Sequence, residues 1–191
     1  MNWIEITGAI SGLVYVILEI GQKRAMWIVG ALSAVMYIIV FADSSLYAAA
    51  LLQLYYVVVS IYGWRKWGKG NLTQGEKSVK EVTVKLPLKR IFYSLIASFA
   101  GFVLVYFMLD NFSEDPYPGA DAFVAIASML ATWWVSGKHI ENWIVWIVAD
   151  VAAAILFFWQ GLYATAILYA VYAFAALAGY LHWRKFPVVL K

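Results

Sequence analysis

Residues 46–67, LYAAALLQLYYVVVSIYGWRKW, and residues 162–183, LYATAILYAVYAFAALAGYLHW, are two versions of one segment. Each opens on Leu-Tyr-Ala, runs apolar for about the 20 residues that a membrane-spanning helix needs, and closes on a Trp-containing end. Working outward in the same register, GQKRAMWIVG at 21–30 faces GKHIENWIVW at 137–146. Over residues 21–67 an offset of 116 gives 15 identities in 47 positions without an insertion, among them Gly21/Gly137, Trp27/Trp143, Tyr56/Tyr172, Gly63/Gly179 and Trp67/Trp183. Apolar composition raises chance matching of Val and Ile. Paired Trp, Gly and Tyr in one register require a duplicated unit.

The chain of 191 residues is 64% hydrophobic and 13% charged, against roughly 45–50% and 25% in soluble domains. Seven apolar stretches read as spans, at 3–20, 25–42, 46–64, 91–109, 119–136, 142–159 and 162–181. The first has no basic leader, carries Glu5 and lacks a cleavage-like end, so it reads as a retained helix rather than a signal peptide. Spans 1–3 correspond to spans 5–7, and an odd number of helices copied directly would insert upside down. Span 4 restores the orientation. The expected architecture is an all-α integral membrane protein, 3+1+3, with two parallel three-helix repeats as in SWEET-type transporters. In domain terms these are a first repeat at 3–64, a cytoplasmic linker at 65–90, connecting helix 4 at 91–109, and a second repeat at 119–184.

Charge sets the orientation. Lys23 and Arg24 fall between spans 1 and 2, eight Lys and Arg fall in or beside residues 65–90, Lys138 lies between spans 5 and 6, and Arg184, Lys185 and Lys191 form the tail. These are all fourteen basic residues, on one side of the membrane, while Glu5, Asp43, Asp110, Glu114, Asp115 and Asp121 lie on the other. The positive-inside rule puts the N-terminus outside and the C-terminus in the cytoplasm. The net charge of +3 is thus explained by topology and by anionic lipid headgroups, not by nucleic acid.

No cysteine is present, which removes disulfides, thiolate metal sites and a Cys nucleophile. His139 and His182 lie among basic residues and offer too few ligands for a metal. No phosphate-binding loop or zinc-protease motif occurs. The chain reads as a transporter rather than an enzyme, with no cofactor.

Acidic residues inside spans need a cavity or a partner. Asp150 sits near mid-membrane in the sixth span, and no span carries a Lys or Arg to neutralise it. It is either protonated or balanced by a charge from outside, such as a cationic ligand. Trp143 and Trp146 precede it at i, i+3, i+7, placing two indoles and a carboxylate on one face. That combination suits a flat cationic ring, whereas Trp143 alone is also compatible with an interfacial belt position. Glu19 admits three readings: reaching to water, pairing with Lys23 at i+4, or touching ligand. Gln53, Tyr56 and Ser60 share a face of the third span, and Tyr169 and Tyr172 share one of the seventh. They serve either as interhelical glue or as partners for a sugar or amide. Gly8 and Gly12 form a GxxxG pair, read as close helix packing.

WxxWxxxD in the sixth span, followed by GLYxTAxLY and GYLxW, with LYAAALLQLYYV and YGWRKW ending the first unit, resembles the PnuC family of bacterial vitamin transporters over nearly the whole chain. The resemblance implies a homotrimer in the inner membrane and facilitated diffusion of a vitamin precursor, nicotinamide riboside first, that a cytoplasmic kinase traps by phosphorylation. It is compatible with Trp143, Trp146, Asp150, Gln53, Tyr56, Tyr169 and Glu19 as the substrate set. Ala49, Val124 and Ala125 depart from the family pattern, and the LEIGQKRAMW stretch with Glu19 points towards a thiamine-type member. Proton-coupled carriage through Glu19 or Asp150 is the remaining alternative.

Overall fold

The computed structural model describes residues 3–43, 47–69, 83–186 and 188–189. Seven helices follow one another among these residues: α1 Trp3–Ile20, α2 Met26–Asp43, α3 Tyr47–Lys69, α4 Leu88–Phe112, α5 Pro118–Ser136, α6 Asn142–Trp159 and α7 Tyr163–Trp183. Two short strands, β1 Thr83–Val84 and β2 Val188–Val189, pair in parallel. Helices α4 to α7 are each long and apolar enough to cross a membrane. In hydrocarbon every backbone group must be paired within the segment, which is why uninterrupted apolar runs become helices here.

Six helices close into a ring in the spatial order α1, α2, α3, α5, α6, α7, with α7 returning to α1. α4 packs outside it against α5 and buries none of its side chains. Both α3 and α4 reach into the segment read as a linker, α3 running on to Lys69 and α4 starting at Leu88, directly after Pro87. Residues 70–82 of that segment lie outside the described residues. The extension of α3 has a cause: the Arg24 guanidinium donates to the Trp64 carbonyl at 2.8 Å and lies 3.7 Å over the Trp64 ring, while Trp67 is buried.

Local geometry recurs at positions 116 apart. α1 and α5 both end in a Schellman turn, with Lys23 N–H on Leu18 O and His139 N–H on Trp134 O. The left-handed residues of the two turns are Gln22 (φ 47°) and Lys138 (φ 55°). Trp27 meets Trp67 edge-on at 5.5 Å and 88°, and Trp143 meets Trp183 at 5.3 Å and 88°. Gly63 lies against the Trp27 ring and Gly179 against the Trp143 ring, so close that neither position has room for a Cβ.

The same residues clasp the ring across its two halves. Trp67 in α3 donates its indole N–H to Ser136 O at the end of α5 (3.2 Å), and Trp183 in α7 donates to Ile20 O at the end of α1 (3.0 Å). Each clasp satisfies one of the orphan carbonyls of a helix C-terminus. Trp67→Phe and Trp183→Phe keep the ring and lose the N–H. Each is expected to cost about 1 kcal/mol, read as a lower thermal unfolding midpoint in detergent.

Around these clasps lies the basic end of the molecule. Val84 N–H donates to Lys138 O (2.9 Å), Ile140 N–H to Val84 O (3.3 Å) and Leu86 N–H to Glu141 Oε1 (3.2 Å), tying the segment before α4 to the α5–α6 turn. His139 contacts Val84 O through Nδ1 (3.2 Å). Burial lowers its pKa below the usual imidazole value; Lys66 and Arg90 push the same way, and the Val84 hydrogen bond opposes them. A lowered folded pKa means the unfolded chain binds the proton more readily. This contribution is therefore fully present above the unfolded value of about 6.5 and is lost as pH falls from there through the lower folded value. Thermal melts between pH 8 and pH 5 should show the native protein losing more stability than His139→Gln.

Candidate functional site

Inside the ring, α1, α3, α5, α6 and α7 enclose a cavity of about 210 Å³ that holds both membrane-embedded carboxylates, Glu19 and Asp150. Glu19 is 1% exposed and Asp150 5%. The two lie within Coulombic reach of each other, and among the described residues no Lys, Arg or His lines the cavity. Trp146 directs its indole N–H at the Glu19 carboxylate without closing a hydrogen bond of full geometry, and Glu19 Oε1 has no hydrogen-bond partner. Tyr15, Tyr56, Tyr169 and Tyr172 supply aromatic edges and hydroxyls, with Tyr56 close to Ser128. Such a cavity can stabilise a desolvated cation by charge and ring faces together.

A second cavity of about 230 Å³ adjoins it and shares Gly12, Tyr15, Tyr56 and Trp146 with it. Gln53 belongs here, with Ser33, Ser60, Thr132 and Tyr37. None of the described residues that line it is charged. We refer to the two as the acidic and the neutral cavity.

Of the residues singled out from the sequence, Glu19, Tyr56, Trp143, Trp146, Asp150 and Tyr169 all line the acidic cavity, and Gln53 lines the neutral one. Three readings change. Glu19 neither reaches water nor follows Lys23, which is exposed while Glu19 is buried. Trp143 is not a belt residue: it is 1% exposed, packed on Gly179 and Trp183, so Trp146 is the freer ring. The GxxxG pair does more than bring helices together. Gly8 receives the Tyr37 hydroxyl from α2 and Gly12 the Tyr172 hydroxyl from α7, with Tyr172 donating to Ala9 O at 3.4 Å. Tyr15, Ser128, Ser33 and Thr132 were not singled out, because small hydroxyls and a lone Tyr on an apolar helix carry no signal until the ring closes.

Among the described residues no group of three or more His, Cys, Asp or Glu is placed to hold a metal ion. His139 is engaged with Val84, and His182 stacks edge-on to Phe186.

Residues 2–185 match the family described as nicotinamide mononucleotide transporter. The chain belongs to this family. It is 27% identical to the nicotinamide riboside transporter PnuC of Escherichia coli (strain K12), over 96% of this chain and 85% of that protein. It is 26% identical to the riboflavin/roseoflavin transporter RibM of Streptomyces davaonensis, over 95% and 84% respectively. A crystal structure of the vitamin B3 transporter PnuC superposes with a TM-score of 0.72 at 23% identity, covering 96% of this chain and 81% of that one, which establishes the shared fold. Family membership and the apolar helices together make this a multi-pass membrane transporter.

Proposed function

We propose that the protein carries a cationic aromatic vitamin precursor, nicotinamide riboside first, across the bacterial inner membrane by facilitated diffusion. The observation that carries this reading is the pair Glu19 and Asp150, in an aromatic cavity inside the ring with no basic residue among the described residues lining it. A positively charged ring supplies the missing charge, Trp146 offers it a face, and Asp150 balances it.

The architecture under this proposal is 3+1+3, two parallel repeats at 3–64 and 119–184 joined through a linker and helix 4 at 91–109. The recurring Trp and Gly contacts, the twin Schellman turns and the ring order support it. The repeats rock about the cavities to expose either side. The basic end faces the cytoplasm, with the N-terminus outside, and a cytoplasmic kinase phosphorylates the imported substrate. Homotrimeric assembly is part of the proposal, and the exposed apolar face of α4 is available for it or for lipid.

One observation favours thiamine as a second reading. Glu19 adds a second carboxylate beside Asp150, matching a ligand with a cationic ring and an amino-bearing ring. Purified protein titrated separately with nicotinamide riboside and thiamine, followed by calorimetry or quenching of native Trp fluorescence, decides between them. Saturation by nicotinamide riboside is the expected outcome; saturation by thiamine alone replaces the first reading with the second. Saturation by neither removes the cationic-ring reading.

A further inference from the structure

The acidic and neutral cavities are built from matching positions. Carried by 116 residues to the other half of the chain, seven of the twelve residues lining the acidic cavity fall on residues lining the neutral one. Asp150 falls on Ala34, Trp146 on Gly30, Tyr169 on Gln53 and Ala176 on Ser60. These four exchanges share one sense, and Val16 against Thr132 follows it, while Ser128 against Gly12 runs the other way and Tyr172 against Tyr56 is unchanged. A carboxylate and an indole give way to a methyl group and a hydrogen, while a methyl group becomes a hydroxyl and a phenol becomes a carboxamide.

The room freed at Gly30 is not left empty. A Cβ there would stand 3.0 Å from Tyr15 Cε2 and 3.3 Å from Ser60 Oγ, so the α1 phenol has moved up against the bare helix. In the other half the corresponding pair is Ala131 and Trp146, with the bulk on the opposite member. Aromatic bulk therefore comes from the first helix of one half and the second helix of the other. The outcome is one cavity with two carboxylates and one with added hydroxyls, a carboxamide and no charged residue among those described, while Trp146 and Tyr15 line both.

From this divergence we infer that the ligand lies across both halves, its cationic ring in the acidic cavity and an uncharged hydroxyl- or amide-bearing part in the neutral one, with Gly30, Tyr15 and Ser60 setting which neutral part is admitted. The inference rests on the acidic cavity being the substrate site. A second cation in the neutral cavity would be buried without a countercharge, which is strongly unfavourable. A neutral polar group finds hydrogen-bond partners there, and leaving those partners unpaired is what disfavours a ligand lacking the group.

The test compares two probes, nicotinamide riboside, which carries ring and tail, and 1-methylnicotinamide, which carries the cationic pyridinium ring alone. Both are titrated by Trp fluorescence into the full-length protein in detergent. Gly30→Ala, which presses on Tyr15, and Ser60→Ala are each expected to weaken nicotinamide riboside by about tenfold or more and 1-methylnicotinamide by less than twofold. A general folding defect would weaken both probes together and lower the melting temperature of Ser60→Ala, so a loss confined to nicotinamide riboside in a variant of native melting temperature separates the two. Equal loss for both probes, or no loss for either, overturns the inference while leaving the acidic cavity as the substrate site. If Asp150→Asn leaves both probes unchanged, the reading of the acidic cavity falls, and this inference with it.

Discussion

Asp150→Asn is expected to weaken binding of the cationic vitamin by roughly 30-fold to several-thousand-fold and to abolish uptake at micromolar substrate. The range follows from removing one partner of a buried charge pair, which costs about 2–5 kcal/mol, at about 1.4 kcal/mol per tenfold. Asp150 is 5% exposed, and none of the described residues lining its cavity is basic, so its charge is free for the ligand; Glu19 is the carboxylate that remains after the substitution, and its attraction sets the lower end of the range. Asn preserves the size and hydrogen-bonding capacity of the side chain, so an unaltered elution profile and melting temperature separate loss of charge from loss of fold. Native affinity in Asp150→Asn would overturn the cationic-ring reading at its centre.

The second large effect concerns two glycines whose surroundings match and whose consequences do not. Gly63→Ala and Gly179→Ala each place a methyl group into the face of a buried indole, Trp27 in the first case and Trp143 in the second. Overpacking of this kind costs about 1–3 kcal/mol, occasionally more. Both variants should therefore melt well below the native protein and by similar amounts. Ligand binding should part them, because Trp143 lines the acidic cavity while Trp27 lines neither cavity. Gly179→Ala is expected to lose most of its affinity at temperatures where it remains folded, and Gly63→Ala to keep it. Equal affinities in the two variants would show that Trp143 does not communicate with the ligand.

The amino-acid order alone carried the helical, membrane-embedded class and the bounds of most helices, because hydrocarbon imposes a length and an apolar composition that any reading frame of the chain exposes. It also carried the pairing of Trp27 with Trp143, Gly63 with Gly179 and Trp67 with Trp183, since identical residues in one register are visible without coordinates. The face of α6 bearing Trp143, Trp146 and Asp150 follows from helical period. Beyond one helix that logic stops. Only the closed ring decided that Glu19 turns inward beside Asp150 rather than outward with Lys23, because the choice depends on what α6 and α7 place opposite α1. Only the ring decided that Gly8 and Gly12 seat tyrosine hydroxyls from two different helices, and that Gln53 faces a cavity apart from the carboxylates. A sequence records which side chains lie on one helical face. The faces that meet are fixed by the packing of all six helices at once, and in this protein that packing gathers Glu19 and Asp150 into one cavity and leaves Gln53 and the hydroxyls of Ser33, Ser60 and Thr132 to the other.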